Sequence, residues 1–255
     1  MQTLKYFLLI CFTAQLINAQ SSIVIGAGAS IDVALNADFC ADVITGTVTG
    51  DGTKCGAAVP KILNLTALIE GFYNGTTMVS DTVRVQFRNT AAPYSLVEEK
   101  KLVLSTAGAG TASLTSVLNG TSYYLIVRHR NALETWSGTG KSFTSNQLSY
   151  NFTTAAGQAF GNNMKLKSSK WTILSGDVNQ DGLVDLSDVS QTDTDNLNFV
   201  VGYIVTDVNG DSIVDLSDIS IVDINNLNFV SKVTPAVTIL TEETHVDKGS
   251  DRLTE

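Results

Sequence analysis

The stretch SGDVNQDGLVDLSDVSQTDTDNLNFV, beginning at Ser175, returns thirty residues later as VTDVNGDSIVDLSDISIVDINNLNFV. Within this double copy Asp recurs at 177, 181, 185, 188, 193, 195, 207, 211, 215, 218 and 223, while no Lys or Arg occurs between Trp171 and Ser231. A segment this small buries too little apolar surface to hold itself together against such self-repulsion. It repels itself unless something positive holds it together.

The spacing of the acids says what the positive partner is. A hard cation such as calcium takes six to eight oxygens, and a loop wrapping it must present oxygen donors at alternate positions around a sharp central turn. In DVNQDGLVDLSD, Asp177, Asn179 and Asp181 occupy loop positions 1, 3 and 5, Gly182 makes the turn, and Leu183 offers its carbonyl at 7. Asp185 acts at position 9 and Asp188 closes the shell at position 12. Asp207, Asn209, Asp211, Ile213, Asp215 and Asp218 hold the same places in the second copy, so two calcium ions are expected. Ser212 replaces Gly at the second turn, where φ is expected to be positive, and strain of about 1 kcal/mol is expected to weaken that site.

Position 12 is Asp rather than Glu, and the residues before each loop, KWTILSG and GYIVT, read as extended, which argues against a helix on both sides of the loop. The pattern resembles type I dockerin, a duplicated calcium module that docks onto cohesin domains, over residues 175–232. The strand-rich sequence ahead of it, with YYLIVRHRNALETWS, loosely resembles the β-sandwich-plus-dockerin surface proteins of Bacteroidetes-type bacteria. The resemblance implies a protein partner of the cohesin kind. Leu186-Ser187 and Leu216-Ser217 at positions 10 and 11, and helices without Lys or Arg, depart from the dockerin pattern. Ile219, Val222, Leu227 and Phe229 are expected to pack on the other repeat or on the preceding domain.

That preceding domain, residues 61–172, alternates with period 2. Val83, Val85 and Phe87 face one way and Arg84, Gln86 and Arg88 the other; Tyr123, Leu125, Val127 and His129, then Leu148, Tyr150 and Phe152, repeat the pattern. Asn74-Gly75 and Asn119-Gly120 suit tight hairpins. The expectation is a mainly β chain: an antiparallel immunoglobulin- or fibronectin-like β-sandwich followed by a small α-helical calcium module. Residues 20–59 read as short β rungs with Gly turns, and residues 233–255 as a flexible tail.

The first nineteen residues, with Lys5 before an apolar run from Tyr6 to Ile17, read as a signal peptide, so a secreted or cell-surface protein is expected. No later run is long enough for a membrane span. Cys40 and Cys55 then remain, and a disulfide between them is expected, with two free buried thiols or half of a metal site as the competing readings. A net charge of -9 argues against nucleic acid.

For catalysis a chain needs a nucleophile with its base, or paired carboxylates. His129 continues an inward strand face, His245 lies in the tail, and no spacing pairs Glu70, Glu98, Glu99 or Glu134, so no enzyme is expected. A polysaccharide partner, held on Trp136, Tyr73, Tyr94 and Trp171 by an accessory component of an extracellular polysaccharide-degrading assembly, stays open, as does a role as an adhesin or filament subunit.

Overall fold

The structure is a computed structural model that describes residues 22–26, 29–33, 38–40, 43–45, 47–50, 53–55 and 60–236. The expected signal peptide and residues 237–255 lie outside the described residues. The chain divides into two compact units, Met1–Val59 and Pro60–Glu255.

Small and β-branched residues punctuated by Gly form three-residue strands in the first unit: β1 (Ser22–Val24), β2 (Ser30–Asp32), β3 (Asp38–Cys40), β4 (Val43–Thr45), β5 (Thr47–Thr49) and β6 (Thr53–Cys55). Each of the first three pairs in parallel with the strand three places later, β1 with β4, β2 with β5 and β3 with β6. That succession is two turns of a parallel coil, the arrangement of a solenoid. The register sets Cys40 opposite Cys55. The disulfide expected there depends on side chains outside the described residues.

In the second unit the period-2 alternation becomes strands as the sequence requires. These are β7 (Lys61–Thr66), β8 (Asp81–Asn89), β9 (Leu96–Leu104), β10 (Ala109–Leu114), β11 (Ser122–His129), β12 (Ala132–Trp136), β13 (Lys141–Ser142) and β14 (Gln147–Asn151). One sheet runs β10-β7-β14; the other runs β12-β11-β8-β9 with β13 also on β11. Leu63, Leu65, Leu114 and Tyr150 from the first sheet share a single core with Val85, Phe87, Leu104 and Leu125 from the second, which makes the pair a β-sandwich. The expectation of a wholly antiparallel sandwich needs one correction: β14 lies parallel to β7. The domain's last strand returns beside its first in the same direction, which a hairpin cannot achieve. Asn119-Gly120 likewise connects the two sheets, from β10 to β11, rather than closing a hairpin.

A short hairpin, β15 (Lys165–Lys167) with β16 (Lys170–Thr172), leads into the repeats. Each repeat is a loop followed by one helix, α1 (Leu186–Leu197) and α2 (Leu216–Leu227). The segment before the first loop is extended in β16, but GYIVT before the second is bend and turn. The repeats pack on the sandwich: Leu133 of β12 is fully buried with Leu174, Val178, Val184, Val208 and Val222. Burial of a leucine there contributes about 2 kcal/mol. Val222 is inside as expected, whereas Leu227 and Phe229 are 68% and 89% exposed, a correction to their expected packing. Both flank the end of α2, and their side chains are exposed although the neighbouring Val230 packs against the core. The start of the expected flexible tail is held, since the Tyr94 hydroxyl donates to the Ala236 carbonyl.

Candidate metal centre

Each loop is ordered by its own side chains. The Asn179 amide oxygen accepts from Asp181 N, and an Asp181 carboxylate oxygen from Leu183 N. Asn209, Asp211 and Ile213 repeat this ladder. Asp185 and Asp215 are helix N-caps: each accepts from the backbone N–H two residues on, while Asp188 and Asp218 accept from the cap residue's own N–H. Position 9 therefore serves loop and helix at once. Its carboxylates, at Asp185 and Asp215, are held below the usual range by hydrogen bonds from Ser187 and Ser217.

Positions 1 and 12 are the buried ones. Asp188 and Asp218 are completely inaccessible, and each clamps its loop by accepting from three backbone N–H groups. Burial raises the pKa of both despite these bonds. Asp177 is 2% exposed and its Oδ1 has no hydrogen-bond partner. Burial, with Asp188 and Asp181 close by, pushes its carboxyl up to about 6.

The loops are also tied to one another, reciprocally. Val184 N donates to Val230 O and Lys232 N to Gly182 O; thirty residues away, Val214 N donates to Val200 O and Gly202 N to Ser212 O. Each loop thus pairs its position-6 to position-8 stretch with the segment leaving the other helix. The Leu183 and Ile213 carbonyls sit in the middle of these short ribbons, beside Ser231 and Val201.

No group of three or more His, Cys, Asp or Glu side chains among the described residues is already gathered as a metal cluster. The donor set nevertheless suits a hard cation, because it mixes carboxylates, an amide oxygen and a main-chain carbonyl. Asp177 Oδ1, buried and unpartnered, is an oxygen that a cation would satisfy. Asp177, Asn179, Asp181, Leu183, Asp185 and Asp188 would hold one ion and Asp207, Asn209, Asp211, Ile213, Asp215 and Asp218 the other.

The second loop differs at position 1. Both Asp207 oxygens are taken, Oδ1 by Gly210 N at 2.8 Å and Oδ2 by Arg130 Nη2 at 3.2 Å. Sequence reasoning missed Arg130, which lies just past β11 and far from the loop in the chain. Turn strain, by contrast, is balanced between the copies. Ser212 has φ +70° where Gly182 sits, but Gln180 has φ +63° where the second loop has Gly210. Each loop carries one non-glycine in the left-handed region. Gly210 has a further reason to lack a side chain, since a Cβ there would lie 2.5 Å from the Phe72 ring.

The other candidate residues are engaged elsewhere. His129 is buried with Nε2 3.1 Å from Asp81 Oδ2. Burial raises the Asp81 pKa, but hydrogen bonds from His129 and Tyr203 outweigh it and hold that carboxyl far below its usual range. Glu98 accepts from Thr115 N and Ser116 N, and Glu134 from Trp136 Nε1. Tyr73 and Trp136 are buried, so the four aromatic residues considered as a flat platform do not form one.

No protein-family model matches the chain, and no curated protein matches it. Among solved structures it is similar to a chain of an N-terminal interface mutant of a type II Cohesin-X-Dockerin complex from Acetivibrio cellulolyticus. The identity is 15% and the TM-score 0.38, over 65% of this chain and 94% of that one. Likeness of that degree carries no argument, and the fold rests on the strand pairing and core above.

Proposed function

We propose that the protein is an exported, non-catalytic surface or matrix protein whose residues 175–232 form a dockerin-like module, bind two calcium ions and engage a protein partner. The observation that carries the reading is the reciprocal pairing of two loops with identical donor spacing, one holding a buried carboxylate oxygen without a partner. Calcium supplies the charge that offsets the loop carboxylates, so its binding free energy becomes folding free energy. For the partner, the repeats offer an apolar surface presented twice. Leu186 and Leu216 are 72% and 74% exposed, and Phe199 and Phe229 87% and 89%. Large apolar side chains so exposed, at equivalent places in both copies, mark an interaction surface.

Calorimetry of the full chain, stripped of divalent ions, should give heat of calcium binding at two sites, and chelation should lower the melting temperature. Asp188→Ala should abolish one site and cost more than Asp218→Ala. Capture from an envelope extract should need calcium and be lost with Phe199→Ser and Phe229→Ser. A chain that shows no heat with calcium and melts identically with and without chelator would sink the reading.

A further inference from the structure

The outward face of the five-stranded sheet carries a row of cations that the protein's charge does not lead one to expect. Arg84 of β8 is directly opposite Lys101 of β9 on one side and Arg128 of β11 on the other. Adjacent strands are about 4.8 Å apart, so three positive side chains stand abreast on neighbouring strands. Like charges directly opposite one another destabilise a sheet. Here they occur in a chain of net charge -9 with only 16 Lys and Arg. Arg128 has one counter-ion, Glu134 at 3.4 Å, whereas among the described residues Arg84 and Lys101 have none.

The row does not face open solvent alone. Arg84, Lys101, Arg128 and Arg130 line a cavity of about 430 Å³, completed from the repeats by Gln180 and Tyr203. That volume lies in the usual range for a small-ligand site. Arg130 is fixed in place, stacked 4.2 Å over the Tyr203 ring and hydrogen-bonded to Asp81 and Asp207, and its Nη1 is buried without a hydrogen-bond partner. Tyr203 is 67% exposed and offers ring surface beside the cations. Guanidinium groups next to an exposed aromatic ring suit a ligand with an apolar ring face and acidic substituents.

We propose that this cavity binds an acidic saccharide through its carboxylate or sulfate groups, with Arg84, Lys101 and Arg128 pairing the oxyanions and Tyr203 packing against the sugar ring. The site goes beyond the calcium reading: its three cations belong to the sandwich, while Gln180 and Tyr203 come from the repeats, so it rests on the repeats being folded.

The test is titration of the full chain with a galacturonate hexamer, a sulfated disaccharide and neutral cellohexaose. Buffer passed over chelating resin is used, because calcium bridges polyuronates by itself. At least one acidic probe should bind, more weakly as salt rises, and cellohexaose should not. The galacturonate and sulfated arms tell the two oxyanions apart. Arg84→Ala and Lys101→Ala should each lower the affinity about tenfold, the loss of one charge-assisted hydrogen bond. With the row thinned, neither variant should melt below the wild type without probe, so lost binding is not lost folding. Failure of both acidic probes to bind, or binding that Arg84→Ala and Lys101→Ala leave unchanged, overturns the proposal. Melting of the calcium-free protein on the same preparation establishes that the repeats are folded during the titration, so a folded chain that binds neither acidic probe overturns this proposal whatever the calcium calorimetry gives.

Discussion

Arg130, at the end of a sandwich strand, donates through Nη2 to Oδ2 of Asp207, 3.2 Å away, and so sets a fixed positive charge on the first ligand position of the second loop. Its Nε meanwhile donates to Asp81 at 3.1 Å, which ties the loop to the sandwich through one guanidinium. A cation entering the second loop meets a carboxylate that is already paired, whereas in the first loop Asp177 Oδ1 is unpaired.

The first prediction follows from that difference. Arg130→Gln should tighten calcium binding at the second site several-fold, because Asp207 is released, while leaving the first site unchanged. The same substitution should lower the melting temperature of the calcium-free protein, because Asp81 and Asp207 lose their shared partner. Removal of one member of a buried ion pair typically costs a few kcal/mol. Calorimetry and thermal melting on one preparation read both effects, and equal calcium affinities in the variant and the wild type would refute the competition.

How much of this was legible beforehand depends on range. Val83, Val85 and Phe87 declared their strand because a period of two is a local signal, and the loop ligands declared themselves because both copies fit one template. The pairing of β14 with β7 was invisible, since direction across a sheet is set by how the whole chain closes. The turn strain was half-read: Ser212 stood out as a missing glycine, but Gln180 opposite Gly210 balances it and only φ values reveal that the fourth loop position is also left-handed. Arg130 was hidden for the same reason as β14. Nothing local links residue 130 to residue 207.

Asp177 supplies a prediction in pH. Its carboxyl is raised from 3.8 to about 6 in the fold, so the folded metal-free loop keeps a proton that the unfolded chain gives up. The stabilisation from that proton is present in full below pH 4 and is lost as pH rises through about 6. Asp188 and Asp218, also raised, act in the same direction. Asp81 acts oppositely but only in strong acid, since its contribution holds above the ordinary carboxylate range. Metal-free protein should therefore lose melting temperature between pH 5 and pH 7. Asp177→Asn should flatten part of that slope, by on the order of 1 kcal/mol after allowance for solvent screening. Saturating calcium should reverse the trend by favouring the ionised carboxyl. An identical slope in wild type and Asp177→Asn would place the titration elsewhere.

The repeats differ where the second helix meets the sandwich, and the last prediction turns on it. Asn225 of α2 is 1% exposed and donates to Glu70 Oε2 at 2.7 Å and to Ser175 O at 2.8 Å, while Lys165 bonds both Glu70 and the Asn225 oxygen. The equivalent residue of the first repeat is Asp195, whose Oδ2 accepts from the Thr206 hydroxyl. Asn225→Asp therefore installs the residue of the other copy, yet it sets a second carboxylate against the buried Glu70 and removes the donor that Glu70 and Ser175 O require. Two carboxylates sharing one lysine in a buried site should lower stability by about 3 kcal/mol. Asp195→Asn, whose side-chain oxygen can still accept from the Thr206 hydroxyl, should change stability by less than about 1 kcal/mol. Because Leu133 of the sandwich is buried in the repeats' core, the Asn225→Asp loss should lower a single melting transition shared by sandwich and repeats. Calorimetric melting of both variants reads this directly. Two separate transitions, or equal effects of the two substitutions, would show that the junction does not couple the repeats to the sandwich.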